Sequence, residues 1–198
     1  MREIFPGIFT WSHFSQEKQI EFNGWCIPSK EGSIIIDPPQ CPESTLDEID
    51  QFGDVKSIIL TNKDHVRRAE EFAGRFRAPI LIHQADAPLV SVRIGGLFKQ
   101  GDELPGGLEP WRINDAKSPG ECVLLHRAAG ALIVGDALIG KPAGQLNLLP
   151  AAKYADVAKA REGIRFLLKL AFDAVLVGDG TPIVKGGRKA VEEFLARG

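Results

Sequence analysis

The chain has 198 residues, 44% apolar and 25% charged, the balance of an ordinary globular protein. Lys and Arg number 24 against 26 Asp and Glu, a formal charge of −2, which argues against a protein whose main business is gripping nucleic acid. No apolar run approaches the roughly 18–20 residues of a membrane span, and the opening MREIFPGIFTW lacks the basic start and long apolar stretch of a signal peptide. Cys26, Cys41 and Cys122 are odd in number and form no CxxC pair, so reduced thiols in the cytoplasm are expected.

The early chain reads as strands, with β-formers over 19–27 and a short apolar run at 33–36 that stops at Asp37-Pro38-Pro39. Leu46, Ile49 and Phe52 have helical spacing. Residues 57–60 read as a buried strand and 65–77 as a helix with Ala69, Phe72, Ala73 and Phe76 on one face. A strand at 79–82 follows, and this β-α-β alternation implies parallel pairing with right-handed crossovers. Residues 88–117 break into short pieces at Gly95-Gly96, Gly101 and Pro105-Gly106-Gly107. Strands at 121–126 and 131–134, joined at Ala128-Ala129-Gly130, read as a hairpin. A loop over 137–150 precedes one long helix over 152–171. After a strand at 174–177, Thr181 and Pro182 predict a short helical turn, and 187–196 reads as the last helix. No linker interrupts this pattern, so one layered α/β domain over residues 1–198 is expected.

Four apolar strands run into turns bearing an acid or a His: Ile36-Asp37, Leu60-Thr61 through Asp64-His65, Val134-Gly135-Asp136 and Val177-Gly178-Asp179. Ligand sites in α/β proteins favour such strand ends. No GxGxxG in the right context, no GxxxxGK[ST] and no GxSxG is present. Trp11, Trp25 and Trp111 are expected in the core ahead of a cleft mouth. His13, His83 and His126 match no motif.

Taken in order, five segments resemble the metallo-β-lactamase-like hydrolases. FNGWCIPSKEGSIIIDPP is similar to that family's opening strands with their liDp turn. SIILTNKDHVRRAEEFAGRF is similar to the strand, metal loop and helix written LTHxHxDHxGG. SPGECVLLH resembles TPGHTxGS, ALIVGDAL resembles the strand ending in GDxL, and VLVGDGTPI resembles the strand ending in GHG. The resemblance covers nearly the whole chain. It implies a four-layer αββα sandwich in which imidazoles and a bridging carboxylate hold one or two metal ions, usually zinc, that activate water.

The ligand positions depart from that pattern. If Asp64-His65 aligns with the family's DH, the HxH frame is deleted. Without a gap, Asn62 and Asp64 stand at the first two His positions and Arg67 at the last. The His of TPGH is Glu121, the bridging acid is kept as Asp136, and the His of GHG is Asp179. The resemblance therefore implies a carboxylate-rich or lost metal centre. Asp64, His65, Glu121, Asp136 and Asp179 are the candidate metal ligands, with Asp136 and Asp179 the candidate catalytic groups. Asn62 and Arg67 are pocket residues under the ungapped alignment.

Three outcomes follow for such a pocket, since four carboxylates together cannot all stay ionised without compensation. A divalent cation (zinc, manganese or magnesium) binds, with hard ions favoured by the oxygen-rich set, and serves hydrolysis of an unidentified small molecule. Alternatively, a cation from Lys63, Arg67 or Arg68 replaces the metal, with Arg67 pairing with an acid such as Asp136, and no metal is held. Lastly, Asp64 only caps a helix and Glu121 faces solvent. A metal-dependent hydrolase by descent and a catalytically silent binding or assembly protein are thus both open. Neither a membrane nor a nucleic acid is expected as a partner.

Overall fold

The computed structural model describes residues 1–197. Seven strands form a first sheet in chain order: β1 (Arg2–Phe5), β2 (Ile8–Ser15), β3 (Ile20–Ile27), β4 (Ser33–Ile36), β5 (Val55–Leu60), β6 (Ile80–His83) and β7 (Gly96–Phe98). The pairs β1 to β4 are antiparallel, and β4 to β7 run parallel. A second sheet has the order β11-β10-β9-β8, from β8 (Leu108–Arg112), β9 (Cys122–His126), β10 (Ala131–Val134) and β11 (Ala174–Val177). The β9–β10 hairpin is antiparallel as the turn residues imply, and β11 joins β10 in parallel.

Three apolar clusters account for the layering. Ile34, Ile36 and Ile59 of the first sheet meet Leu124, Ile133 and Leu176 of the second, forming the core between the sheets. The alternate residues of the same strands point outward. Ile35, Ile58 and Leu60 pack against Leu46 and Ile49 of α1 (Glu43–Asp50) and Phe72 of α2 (Ala69–Phe76). Leu132, Val134, Val175 and Val177 pack against Ile164 of α3 (Val157–Ile164) and Val191 and Phe194 of α4 (Gly187–Ala196). Strands covered on both faces must be apolar at every position, which is why SIII, ALIV and AVLV read as continuous runs rather than alternating ones. The result is the expected αββα sandwich, its central strands burying one face in the shared core and the other under a helix pair.

Three local expectations fail for identifiable reasons. The single helix over 152–171 is broken. Residues 151–153 make a 3-10 turn, Tyr154 is extended, and Asp156 caps α3 by accepting from the Lys159 amide at 3.0 Å. A further 3-10 turn at 165–169 ends it. The apolar positions keep helical spacing across the breaks because both pieces cover the same sheet. The Thr181-Pro182 turn is not helical: Ile183 instead bridges Val175 through bonds of 2.8 and 2.9 Å, extending the second sheet. The helix placed at 65–77 starts only at Ala69, after a 3-10 turn at 63–65. Cys26, Cys41 and Cys122 are free thiols, and no helix among the described residues is long and apolar enough to cross a membrane.

Candidate functional site

The parallel arrangements of β4 with β5 and of β10 with β11 bring their C-terminal ends to one edge of each sheet. Two clips hold these edges together. Asn23 of β3 donates its side-chain amide to the carbonyls of Val177 (2.9 Å) and Gly180 (2.8 Å), and its own amide to Gly178 (2.7 Å). The Cys122 amide donates to the Thr61 carbonyl at 3.0 Å. Asp37, the 61–67 loop, Asp136 and Asp179 therefore converge on one cleft of about 560 Å³. Gly135 and Gly178 permit the approach. A Cβ at Gly135 would overlap the Thr61 hydroxyl, and one at Gly178 would stand 2.7 Å from His65 Cε1.

His65 sits at the centre of the floor, fully enclosed. Its Nδ1 lies 2.8 Å from Asp37 Oδ2, and its Nε2 lies 3.4 Å from Asp136 Oδ1 and 4.0 Å from Asp179 Oδ1. Asp37 is itself fixed by the Thr61 amide (2.9 Å) and hydroxyl (2.6 Å). Burial and the Arg67 guanidinium oppose a charge on the imidazole. Asp37 and Asp136 outweigh them, and the pKa is pushed up to about 10. The two carboxylates thus favour the protonated form of His65, while the Arg67 donor at Nε2 opposes it.

Two further cations enter the floor. Arg67 adopts a left-handed backbone (φ 41°), uncommon for a side chain of its size. That turn directs its guanidinium inward, where Nη2 lies 2.5 Å from Asp179 Oδ1 and 3.2 Å from His65 Nε2. Nη1 donates to the carbonyls of Asn23 (3.1 Å) and Asp37 (3.3 Å), and the group stacks 4.6 Å from the Phe22 ring centroid. Lys117 bridges two acids, with Nζ 2.6 Å from Asp136 Oδ2 and 2.9 Å from Asp64 Oδ2. Burial works against each of these acids. For Asp136 the His65 and Lys117 charges prevail, and for Asp64 the Lys117 and Lys63 bonds do, so both carboxyls titrate below their usual range. Asp179 is left raised, because burial outweighs the nearby cations.

Glu121 lies behind this ring and is wholly buried. Its Oε1 accepts from Asn62 Nδ2 (3.3 Å) and the Ala137 amide (3.2 Å), while Oε2 has no partner. Desolvation, reinforced by Asp136, drives its pKa well above the usual carboxylate range. Asp86, equally buried, accepts from the Lys63 amide (2.8 Å), the Gly120 amide (2.7 Å) and the Ser118 hydroxyl, tying together the two loops that carry Asp64 and Lys117.

The sequence-predicted residues thus occupy one region. His65, Asp64, Asp136, Asp179 and Arg67 line the cleft, and Asn62 and Glu121 lie just beneath it. Both His65 and Arg67 point inward, so the two alignments of the 61–68 loop each capture one of the two inward side chains. Four expectations need correction. Arg67 pairs with Asp179 rather than Asp136, because Lys117 already holds Asp136. Arg68 stays on the exposed face beside Glu71, and Asp64 faces the cleft while Asn62 caps the turn. Glu121 is not on a solvent-facing strand position. Asp37 was noted only as a strand-end acid, and Lys117 and Asp86 were not singled out. Lys117 immediately precedes the SPGE segment, at the end of a stretch read as short broken pieces, and its partners are 53 and 19 positions away in the chain. The three Trp residues stay out of the cleft lining: Trp11 and Trp25 are buried and Trp111 packs on Phe166.

The sequence profile of the Metallo-beta-lactamase superfamily matches residues 2–197, and the chain belongs to that superfamily. Its fold is similar to a metallo-beta-lactamase from Pontibacter korlensis (16% identity, TM-score 0.79, 100% of this chain and 98% of that one). It is similar to DIM-1 metallo-beta-lactamase (14%, 0.77, 96% and 95%) and to TTHA1623 in a di-iron-bound form (20%, 0.70, 91% and 96%). No curated protein matches. His65, Asp136 and Asp179 offer ligand atoms within 4.8 Å of one another, a grouping able to hold a metal ion.

Proposed function

We propose that Arg67 and Lys117 stand in for the metal ions of this superfamily. On this reading the cleft is a small-molecule binding site on a hydrolase fold and works without a divalent cation. One observation carries it: two side-chain cations already sit among the would-be donors, at 2.5 Å from Asp179 and 2.6 Å from Asp136. The acids around the floor, Asp37, Asp64, Asp136 and Asp179, face His65, Lys63, Lys117 and Arg67, so each carboxyl has a basic side chain beside it.

A divalent ion fits this donor set poorly. It needs the lone pair of a neutral imidazole, and the Arg67 guanidinium already stands 3.2 Å from His65 Nε2. It would also meet the guanidinium and the ammonium. Two unit charges 4 Å apart repel by about 4 kcal/mol at an effective dielectric of 20. A second reading, a metal-dependent hydrolase using Asp136 and Asp179, is favoured by the His65–Asp136–Asp179 grouping. It requires Arg67 and Lys117 to leave their partners.

Metal content and thermal shifts with zinc, manganese, magnesium and calcium separate the two readings. The expected result is no bound metal and no shift for the native chain, with a shift gained by Arg67→Ala/Lys117→Ala, which frees the acids. Lys117→Gln alone is the fallback if the double variant does not fold. Near-stoichiometric metal in protein purified without chelator, or a native shift abolished by Asp136→Ala, would overturn the proposal.

A further inference from the structure

The cleft carries a second charge pattern outside its neutral floor. Lys18, Lys141 and Lys153 stand on the rim. Lys18 reaches only Glu17, in an exposed pair of 2.8 Å that contributes little. Lys141 Nζ donates to the Gln19 carbonyl at 2.7 Å and has no carboxylate partner. Lys153 makes no ion pair and no side-chain hydrogen bond among the described residues. The acids of the lining, Asp64, Asp136 and Asp179, are all engaged by Arg67 or Lys117, and Glu17 is taken by Lys18, which leaves Lys141 and Lys153 without a carboxylate partner.

Between rim and floor the walls are apolar. Ile20 and Phe22 of β3 form one wall, and Ile139, Leu149 and Pro150 form the other. Apolar surface beside two lysines that have no carboxylate partner is the complement of a molecule with the same division: an apolar body ending in an anion. The rim uses lysines only, and ammonium groups act as compact point charges that suit a carboxylate or a phosphate without demanding a planar, bidentate partner.

We infer that the cleft binds a small amphiphilic anion, its apolar body against Phe22 and Leu149 and its carboxylate or phosphate group held by Lys141 and Lys153. This rests on the reading that Arg67 and Lys117 neutralise the floor, because only then do the rim lysines set the field in the cleft. Inward of the apolar walls, the floor offers the ligand no unpaired charge. The anionic end therefore belongs at the mouth and the apolar end inside, where it displaces water from Ile139 and Phe22.

Melting curves recorded in chelator test this with octanoate and octyl phosphate as probes, and with octylammonium and inorganic phosphate as controls at matched ionic strength. A rise of about 2–5 °C is expected for at least one of the two amphiphilic anions at concentrations well above its dissociation constant, and none for octylammonium. Whichever of octanoate and octyl phosphate acts at lower concentration identifies the head group. Lys141→Gln/Lys153→Gln, at sites remote from the core, should weaken the response at least tenfold. An equal shift with octylammonium, an unchanged response in that double variant, or no shift with either anion would overturn the inference. Repeating the series with zinc separates the two proposals. An anion response that appears only with zinc keeps the ligand class and removes the metal-free reading. No response to metal or to anions leaves the metal-free reading standing and removes this one.

Discussion

Asp86 and Glu121 are both completely buried acids beside the same two loops, yet they are built in opposite ways. Asp86 has a donor for each oxygen, taken from the Lys63 amide, the Gly120 amide and the Ser118 hydroxyl. Glu121 has two donors on one oxygen and nothing on the other. Hydrogen bonds replace the lost hydration of a buried carboxyl, and an oxygen without them favours the protonated form. Asp86 therefore works as a tie that fixes Asp64 and Lys117 in position. Glu121 lies behind the ring of ion pairs with its pKa raised by burial.

The largest test of this contrast is Asp86→Asn. An amide there turns a donor toward an amide N–H, and a loss of about 3 kcal/mol in urea denaturation is expected. Equal stability would mean that the three bonds are not a tie. Next comes Lys117→Met, which leaves Asp136 with His65 alone. Because Lys117 is partly exposed, a cost of about 2 kcal/mol is expected at pH 7. Asp136 has a lowered folded pKa, so its contribution is present above the usual Asp value and is lost as pH falls through the lowered one. The cost of Lys117→Met should accordingly shrink in acid, and a pH-independent cost would assign Lys117 a packing role only.

Glu121→Gln should have the opposite sign to Asp86→Asn. The folded pKa of Glu121 is raised, so the unfolded chain loses its proton first and the native protein is destabilised as pH climbs above about 4.5. Gln carries no such penalty, and a gain of about 1 kcal/mol at pH 8, fading toward pH 5, is expected from denaturation at the two pH values. A loss at both would show that Glu121 is ionised and paired. The smallest effect belongs to the rim, where Lys153→Gln should change stability by less than about 0.5 kcal/mol while weakening octanoate binding.

Much of this architecture was legible beforehand. The apolar runs 33–36, 131–134 and 174–177 and the final helix at 187–196 lie where their patterns place them, because burial on both faces leaves no room for polar residues. The acids at strand ends were equally visible, as Asp136 and Asp179 follow apolar strands through a single glycine. The pairing was not. Arg67 meets Asp179 across 112 positions and Lys117 meets Asp64 across 53, distances over which composition and spacing carry no signal. The breaks around α3 escaped notice for a related reason: covering one sheet requires the apolar spacing, not an unbroken helix.

By itself, then, the order of the amino acids determined which segments lie in the core and which residues stand at the strand ends, and its resemblance to the superfamily motifs implied acids and an arginine where those motifs have imidazoles. Only the tertiary structure decided which charge neutralises which. Ion pairing depends on distances of a few ångströms and on exclusion of water, and both arise only when the two sheets close on each other.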